Sequence, residues 1–184
     1  MRATVLDTET TGLILNRTVR RGMWPEVIEF ASVTFDWDTG EELGEYSTLI
    51  RPQGSIGEET TKITGITNDM VASSPSFSGV GGRIRQVIEG SSVVLAHHVS
   101  FDVEMIDMEV EKCNAAPIKW PRVICTIEQT NAMPGKRTGG GYRMNLGDLH
   151  ENLFGERFED AHRAEADVRA LLRIVMKLRA EGYL

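Results

Sequence analysis

The feature that most constrains the fold is the run Val27 to Trp37, which reads Val-Ile-Glu-Phe-Ala-Ser-Val-Thr-Phe-Asp-Trp and is followed by Asp38-Thr-Gly40 and then Glu45 to Ile50. β-Branched and aromatic side chains suit a pleated, half-buried surface, and an Asp-x-Gly segment turns the chain. The pattern predicts a β-hairpin. Ahead of it, Ala3 to Asp7 is a short β-favouring run ended by the turn signal Thr-Thr-Gly12. Three consecutive strands therefore open the chain, in a mixed or antiparallel arrangement.

The remainder changes period. Between Pro52 and Pro75 the composition predicts short helices and loops, and Phe77 to Glu89 a Gly-interrupted helix. Ser92 to Ala96 reads as a short buried strand. Val99, Val103, Ile106, Val110 and Cys113 recur at steps of four and three, the spacing of an amphipathic helix. Ala164, Val168, Leu171, Val175 and Leu178 draw a second such stripe, which predicts the longest helix over Ala161 to Arg179. Strands first, then strand–helix units and a terminal helix, imply an α/β or mixed α+β fold with helices on a central sheet.

With 184 residues, 41% of them hydrophobic, the chain can bury one ordinary core, so we expect a single domain over 1–184. No apolar run is long enough to span a bilayer, and Asp7 interrupts the N-terminal hydrophobic segment before it could act as a secretory signal. A cytoplasmic location is expected, with no membrane partner. Cys113 and Cys125 lack CxxC spacing and read as reduced thiols. The net charge of −7 argues against a protein that grips long nucleic acid by charge alone. It leaves room for an enzyme that reaches phosphates through bound metal ions. The basic residues Arg17, Arg20, Arg21, Lys136, Arg137 and Arg143 form the expected contacts to nucleic acid, the last three in a Gly-rich loop read as mobile.

Four carboxylates and one histidine carry the chemistry. Asp7 and Glu9 lie two apart at the end of a strand, pointing to one face with Cα atoms about 7 Å apart. Taken alone, that is a polar strand end. Asp102 falls at the margin of an apolar helical stripe, where a first-turn Asp ordinarily serves the helix dipole. Asp167 repeats the placement in the last helix, and His162 stands at that helix's entry, where a histidine is ordinarily a surface residue. Together they bring acids from three segments to the core margin. Hard divalent cations favour such oxygen ligands, and two of them about 4 Å apart stabilise attacking and leaving oxygens at phosphorus. An imidazole, with an ordinary pKa near 6.5, suits removal of the proton from an attacking water.

Asp7-Thr-Glu9-Thr-Thr-Gly-Leu13, Ala96-His-His-Val-Ser-Phe-Asp102 and His162-Arg-Ala-Glu-Ala-Asp167 resemble, in order and spacing, the three motifs of the DEDDh 3′→5′ exonucleases, the group of the bacterial DNA polymerase III epsilon subunit. The resemblance runs from about residue 2 to residue 178 and includes Glu59, Ile63-Thr-Gly-Ile-Thr67 and Asn145-Leu-Gly-Asp-Leu149. It implies a ribonuclease H-like α/β fold with a mixed five-stranded sheet flanked by α-helices. It further implies that Asp7, Glu9, Asp102 and Asp167 hold two Mg²⁺ or Mn²⁺ ions and that His162 is the general base. Thr8, Thr10 and Gly12 would border the terminal nucleotide, Glu59 would lie near its 3′ hydroxyl, and Phe101 would pack on its sugar or base.

Three positions depart from the family pattern. His98 stands where Asn is usual, Thr64 where His is usual, and Cys125 where Asp is common. The chain is expected to lack the polymerase-tethering tail of the epsilon subunit. The implied activity is release of nucleoside 5′-monophosphates from 3′ ends of DNA, single strands or frayed ends first, with short RNA as the alternative. One other reading remains at this point, a noncatalytic nucleic-acid-binding scaffold on the same fold; a zinc protein using His97, His98, His150, Cys113 and Cys125 fails on spacing, because no short-spaced His/Cys pair set appears.

Overall fold

The computed structural model describes residues 1–13, 24–131, 144–159 and 161–184. The Gly-rich loop and all six basic residues named above, Arg17, Arg20, Arg21, Lys136, Arg137 and Arg143, lie outside these residues. Five strands form one sheet: β1 (Arg2–Thr10), β2 (Val27–Asp36), β3 (Glu42–Leu49), β4 (Val93–Ala96) and β5 (Arg122–Cys125), in the order β3-β2-β1-β4-β5. β2 runs antiparallel to both β1 and β3, whereas β4 runs parallel to β1 and β5. The helices among the described residues are α1 (Glu58–Thr64), α2 (Asn68–Val71), α3 (Phe77–Glu89), α4 (Val99–Lys112), α5 (Thr126–Asn131), α6 (Leu146–Phe154) and α7 (Ala164–Ala180). None is long and apolar enough to cross a membrane.

The sheet is covered on both faces, which explains why β2 reads as a near-continuous apolar run rather than a strict alternation. Ala3 and Val5 of β1, Ala31, Val33 and Phe35 of β2 and Val93 and Leu95 of β4 pack with Leu149 of α6 and Val168, Leu171 and Val175 of α7. On the opposite face Leu6, Phe30 and Val94 pack with Ile84 and Ile88 of α3 and Met105 and Ile106 of α4. Phe30, Phe35 and Leu6 are fully buried, each contributing about 1.5–3 kcal/mol by burial. Odd-numbered β1 residues thus face α7 and even-numbered ones face α4.

Several boundaries differ from the sequence reading for physical reasons. β1 continues past Asp7 to Thr10, because β2 pairs with it through Glu9 opposite Glu29 before a bulge at Glu9/Thr10. β3 starts at Glu42, on an exposed edge with no apolar signal. The edge strand β5 escaped the reading altogether: it is four residues long and only its last two are buried. The last helix begins at Ala164, not Ala161, because His162 adopts a left-handed backbone (φ 69°) and Arg163 an extended one. The hairpin turn is as expected, with Asp36 Oδ1 accepting the Asp38 and Thr39 amides at 2.8 and 3.0 Å.

Candidate active site

The C-terminal end of β1 is where the acids gather. Asp7 and Glu9 project from its α7 face, as continuations of the row begun by Ala3 and Val5. Asp167 meets them from the first turn of α7 and is buried. Asp102 comes from the first turn of α4, which starts immediately after β4 with His98 at φ 92°. The Thr8 hydroxyl, on the other face of β1, donates to Asp102 Oδ1 at 2.8 Å and so fixes that carboxylate at the strand.

Burial and crowding act on these acids in one direction. Asp7 is pushed well above the carboxylate range by burial and then by Asp102, Asp167 and Glu9. Burial, reinforced by Asp167, Glu29 and Asp102, raises Glu9 to about 8, with the Arg163 guanidinium opposing. Asp102 and Asp167 are each lifted to about 7, mainly by burial, against hydrogen bonds from Thr8 and from the His162 amide respectively. Such a cluster stores repulsion until a cation joins it.

Glu9, His162 and Asp167 each present a ligand atom within 4.8 Å of one another, the one group of three acidic or His/Cys side chains among the described residues that closes to this spacing. Asp7 and Asp102 border it. The carboxylate oxygens suit a hard divalent ion, so they fit the cations that the motifs imply, with the His162 imidazole close beside them. His162 is exposed, and its amide donates to Asp167 Oδ1 at 3.3 Å.

Beside this group lies a fifth carboxylate that the sequence reading missed. Glu29 of β2 is 2% exposed and accepts from Arg163 Nε (3.2 Å), Arg163 Nη2 (2.8 Å) and the Ala164 amide (2.8 Å). The available signal was a lone charge within the apolar stretch Val-Ile-Glu-Phe.

The sequence profile of the RNase_T family, described as Exonuclease, matches residues 4–175. The chain belongs to this exonuclease family. It is 33% identical over 172 residues to DNA polymerase III subunit epsilon of Treponema pallidum (strain Nichols), covering 93% of this chain and 73% of that protein. It is 30% identical over 189 residues to the 3′-5′ exonuclease DinG of Bacillus subtilis (strain 168), covering 99% of this chain but 18% of that longer protein. Among solved structures, the nuclease domain of 3′hExo, a DEDDh family member bound to rAMP, superposes with a TM-score of 0.75 at 18% identity, covering 98% of this chain and 92% of that one. Its fold is therefore the mixed five-stranded, ribonuclease H-like one, and the chain is a DEDDh-type 3′→5′ exonuclease domain similar to the epsilon subunit.

The exonuclease arranges its other motif residues around this centre. Thr10 is buried and donates to the Gly12 carbonyl at 2.6 Å, shaping the chain as it leaves β1. Glu59 is exposed on α1, a helix tied to that same exit by the bond from Thr60 Oγ1 to Thr11 O (2.8 Å). Leu13 and Ile63 nearby are 68% and 59% exposed, apolar surface the sequence reading did not single out. Thr64 is turned inward, donating to Thr60 O and accepting the Ile66 amide at the end of α1. Phe101 is half-buried and stacks on His98, their rings 6.3 Å apart and inclined by 12°.

The zinc reading fails on geometry. His97 joins Thr126 Oγ1 and Met144 O, both at 2.9 Å, and burial lowers its pKa. His150 lies buried between Phe154 and Phe158. Cys113 and Cys125 are free thiols, and no cluster of three His/Cys residues exists among the described residues.

Proposed function

We propose that this exonuclease removes nucleoside 5′-monophosphates from 3′ ends of DNA, single strands or frayed ends above paired ones, and that Asp7, Glu9, Asp102 and Asp167 hold two divalent ions, Mg²⁺ or Mn²⁺. The observation that carries the reading is the convergence of Glu9, His162 and Asp167 within 4.8 Å at the edge of a buried acidic cluster. Family membership supports it, because this family depends on divalent metal. Similarity to an epsilon subunit supports DNA as the first substrate. We further take residues 1–184 as one exonuclease domain acting in the cytoplasm, consistent with two free cysteines.

When bound, the ions supply charge neutralisation for the carboxylates and polarisation of the scissile phosphoryl group. The chain's own residues supply the rest. A His162 ring nitrogen takes one proton from the attacking water as its oxygen bonds to phosphorus. The bond from phosphorus to the 3′ oxygen of the preceding nucleotide breaks, and that oxygen is protonated from solvent. The released nucleotide keeps its 5′-phosphate. Asp167 serves twice, as a ligand and as acceptor of the His162 amide, so that metal and base share one anchor. Thr10 and Gly12 shape the floor under the terminal nucleotide, the main chain beside Thr8 faces its phosphate, Glu59 faces its 3′ hydroxyl, and Phe101 with His98 packs against its sugar or base.

The test is direct. DNA and RNA oligonucleotides labelled at the 5′ end, single- and double-stranded, are incubated with Mg²⁺ or Mn²⁺ and resolved on a sequencing gel. A ladder shortening from the 3′ end, fastest for single-stranded DNA, is expected. Faster shortening of short RNA would move the assignment to an exoribonuclease, and binding without shortening would leave a scaffold.

A further inference from the structure

The Glu29–Arg163 pair stands outside the ligand set, Glu29 outside the motifs altogether and Arg163 at a position of the third motif given no role so far, yet it is built into the segment that carries His162. Four observations define it. Glu29 lies directly across the ladder from Glu9, so the two carboxylates share the α7 face of the sheet. Its side chain is almost wholly buried, where an ionised carboxylate must be matched. Among the described residues the match comes from residues 163 and 164: a two-point grip on the Arg163 guanidinium and one bond from the Ala164 amide. Finally, α7 has no side-chain cap of its own, since its first flanking residue is Arg163, and Glu29 provides that cap from another strand.

The consequence is positional. His162 has a left-handed backbone that a histidine does not adopt without support. Its amide is held on one side by Asp167 Oδ1, and the next two residues are held on the other by Glu29. Two carboxylates thus fix residues 162 to 164 between the sheet and the helix. From this arrangement we infer that Glu29, with Arg163, is a positioning residue for the reaction: it sets the His162 ring against Glu9 and Asp167 without touching substrate or metal itself. A planar fork on a carboxylate is the geometry for this task, because it fixes orientation as well as distance.

The inference rests on the assignment of His162 as the base, and a double-mutant cycle separates the two. Glu29→Gln keeps the shape and the acceptor for the Ala164 amide but loses the charge that grips Arg163. Displacement of a catalytic group by about 1 Å costs up to about 10²-fold, so Glu29→Gln is expected to lower kcat about 10- to 100-fold with KM for a single-stranded oligonucleotide and the Mn²⁺ midpoint unchanged. In a His162→Ala background the same substitution is expected to cost less than about threefold, because the group it positions is gone. Arg163→Gln, at a partly exposed side chain, repeats the test from the other partner should Glu29→Gln fold poorly. Equal losses in both backgrounds, or a shifted Mn²⁺ midpoint, would overturn the inference while leaving the base assignment standing. No loss from His162→Ala alone would remove the base assignment, and the inference with it.

Discussion

Thr8 Oγ1 donates a 2.8 Å hydrogen bond to Asp102 Oδ1, joining the opening strand to helix α4 across 94 positions of sequence. The bond lies on the α4 face of β1, while Asp7 and Glu9 occupy the other. The Thr8 main chain also hydrogen-bonds this carboxylate, so the hydroxyl is one of two ties from that residue to Asp102. Thr8→Val removes the donor and keeps the shape. A hydrogen bond to a charged group is worth about 1.5–3 kcal/mol, so the Mg²⁺ midpoint for activity is expected to rise and turnover to fall by about tenfold, with Thr8→Ser restoring both. An unchanged midpoint in a Mg²⁺ titration would show that Asp102 needs no such tether.

Asp7→Asn, Asp102→Asn and Asp167→Asn are each expected to lower turnover by orders of magnitude while leaving the fold intact. The metal-free variants should be no less stable than the parent, because each change relieves repulsion within the cluster. Retention of more than about a tenth of the activity by Asp7→Asn, a cost of only about 1.4 kcal/mol in barrier, would contradict the assignment of that residue as a ligand.

The metal-free protein is expected to lose stability as pH rises from about 5 to about 8. Unfolded Asp and Glu titrate near 4, whereas Glu9 titrates at about 8 and Asp102 and Asp167 at about 7 in the folded chain. Between those values the folded state binds protons that the unfolded state has released, so its stability falls with rising pH. Urea midpoints measured in EDTA across this range should decline, and saturating Mg²⁺ should flatten or reverse the trend. A midpoint in EDTA that rises towards pH 8 would show that the acids are already compensated by the protein.

His162→Ala is expected to lower turnover by about 10²–10⁴-fold, the usual worth of a positioned base, with Mn²⁺ binding by calorimetry weakened at most modestly. Unchanged turnover would identify His162 as a surface residue.

Much of this was legible in the chain and some was not, for different reasons. The hairpin follows from its β-branched and aromatic run with a turn signal, α3 from composition and α4 from a period of three and four, and Asp102 and Asp167 at the margins of their stripes are buried. β5 was illegible because an edge strand of four residues buries too little to leave a pattern. The start of α7 was misplaced because propensity continues smoothly through Ala161 while a tertiary contact, Glu29 to Ala164, decides where the helix begins. Glu29 itself was hidden in a strand buried on both faces, where the alternation that exposes an odd residue is lost. The ligand set came from motif resemblance; local sequence could not show that Asp7 and Asp102, on opposite sides of the sheet, meet at its end.

The site draws Glu9 from the first elements of the chain and His162 and Asp167 from its final helix and the residues just before it. Closing a loop of this size is entropically affordable only when the sheet and both helical layers are in place to hold its ends. A nascent chain still short of residue 167 has all five strands but lacks both Asp167 and the α7 stripe that buries one face of the sheet. Completion of the acid cluster is therefore coupled to closure of the core, because the helix that delivers Asp167 is the one that covers this face of the sheet.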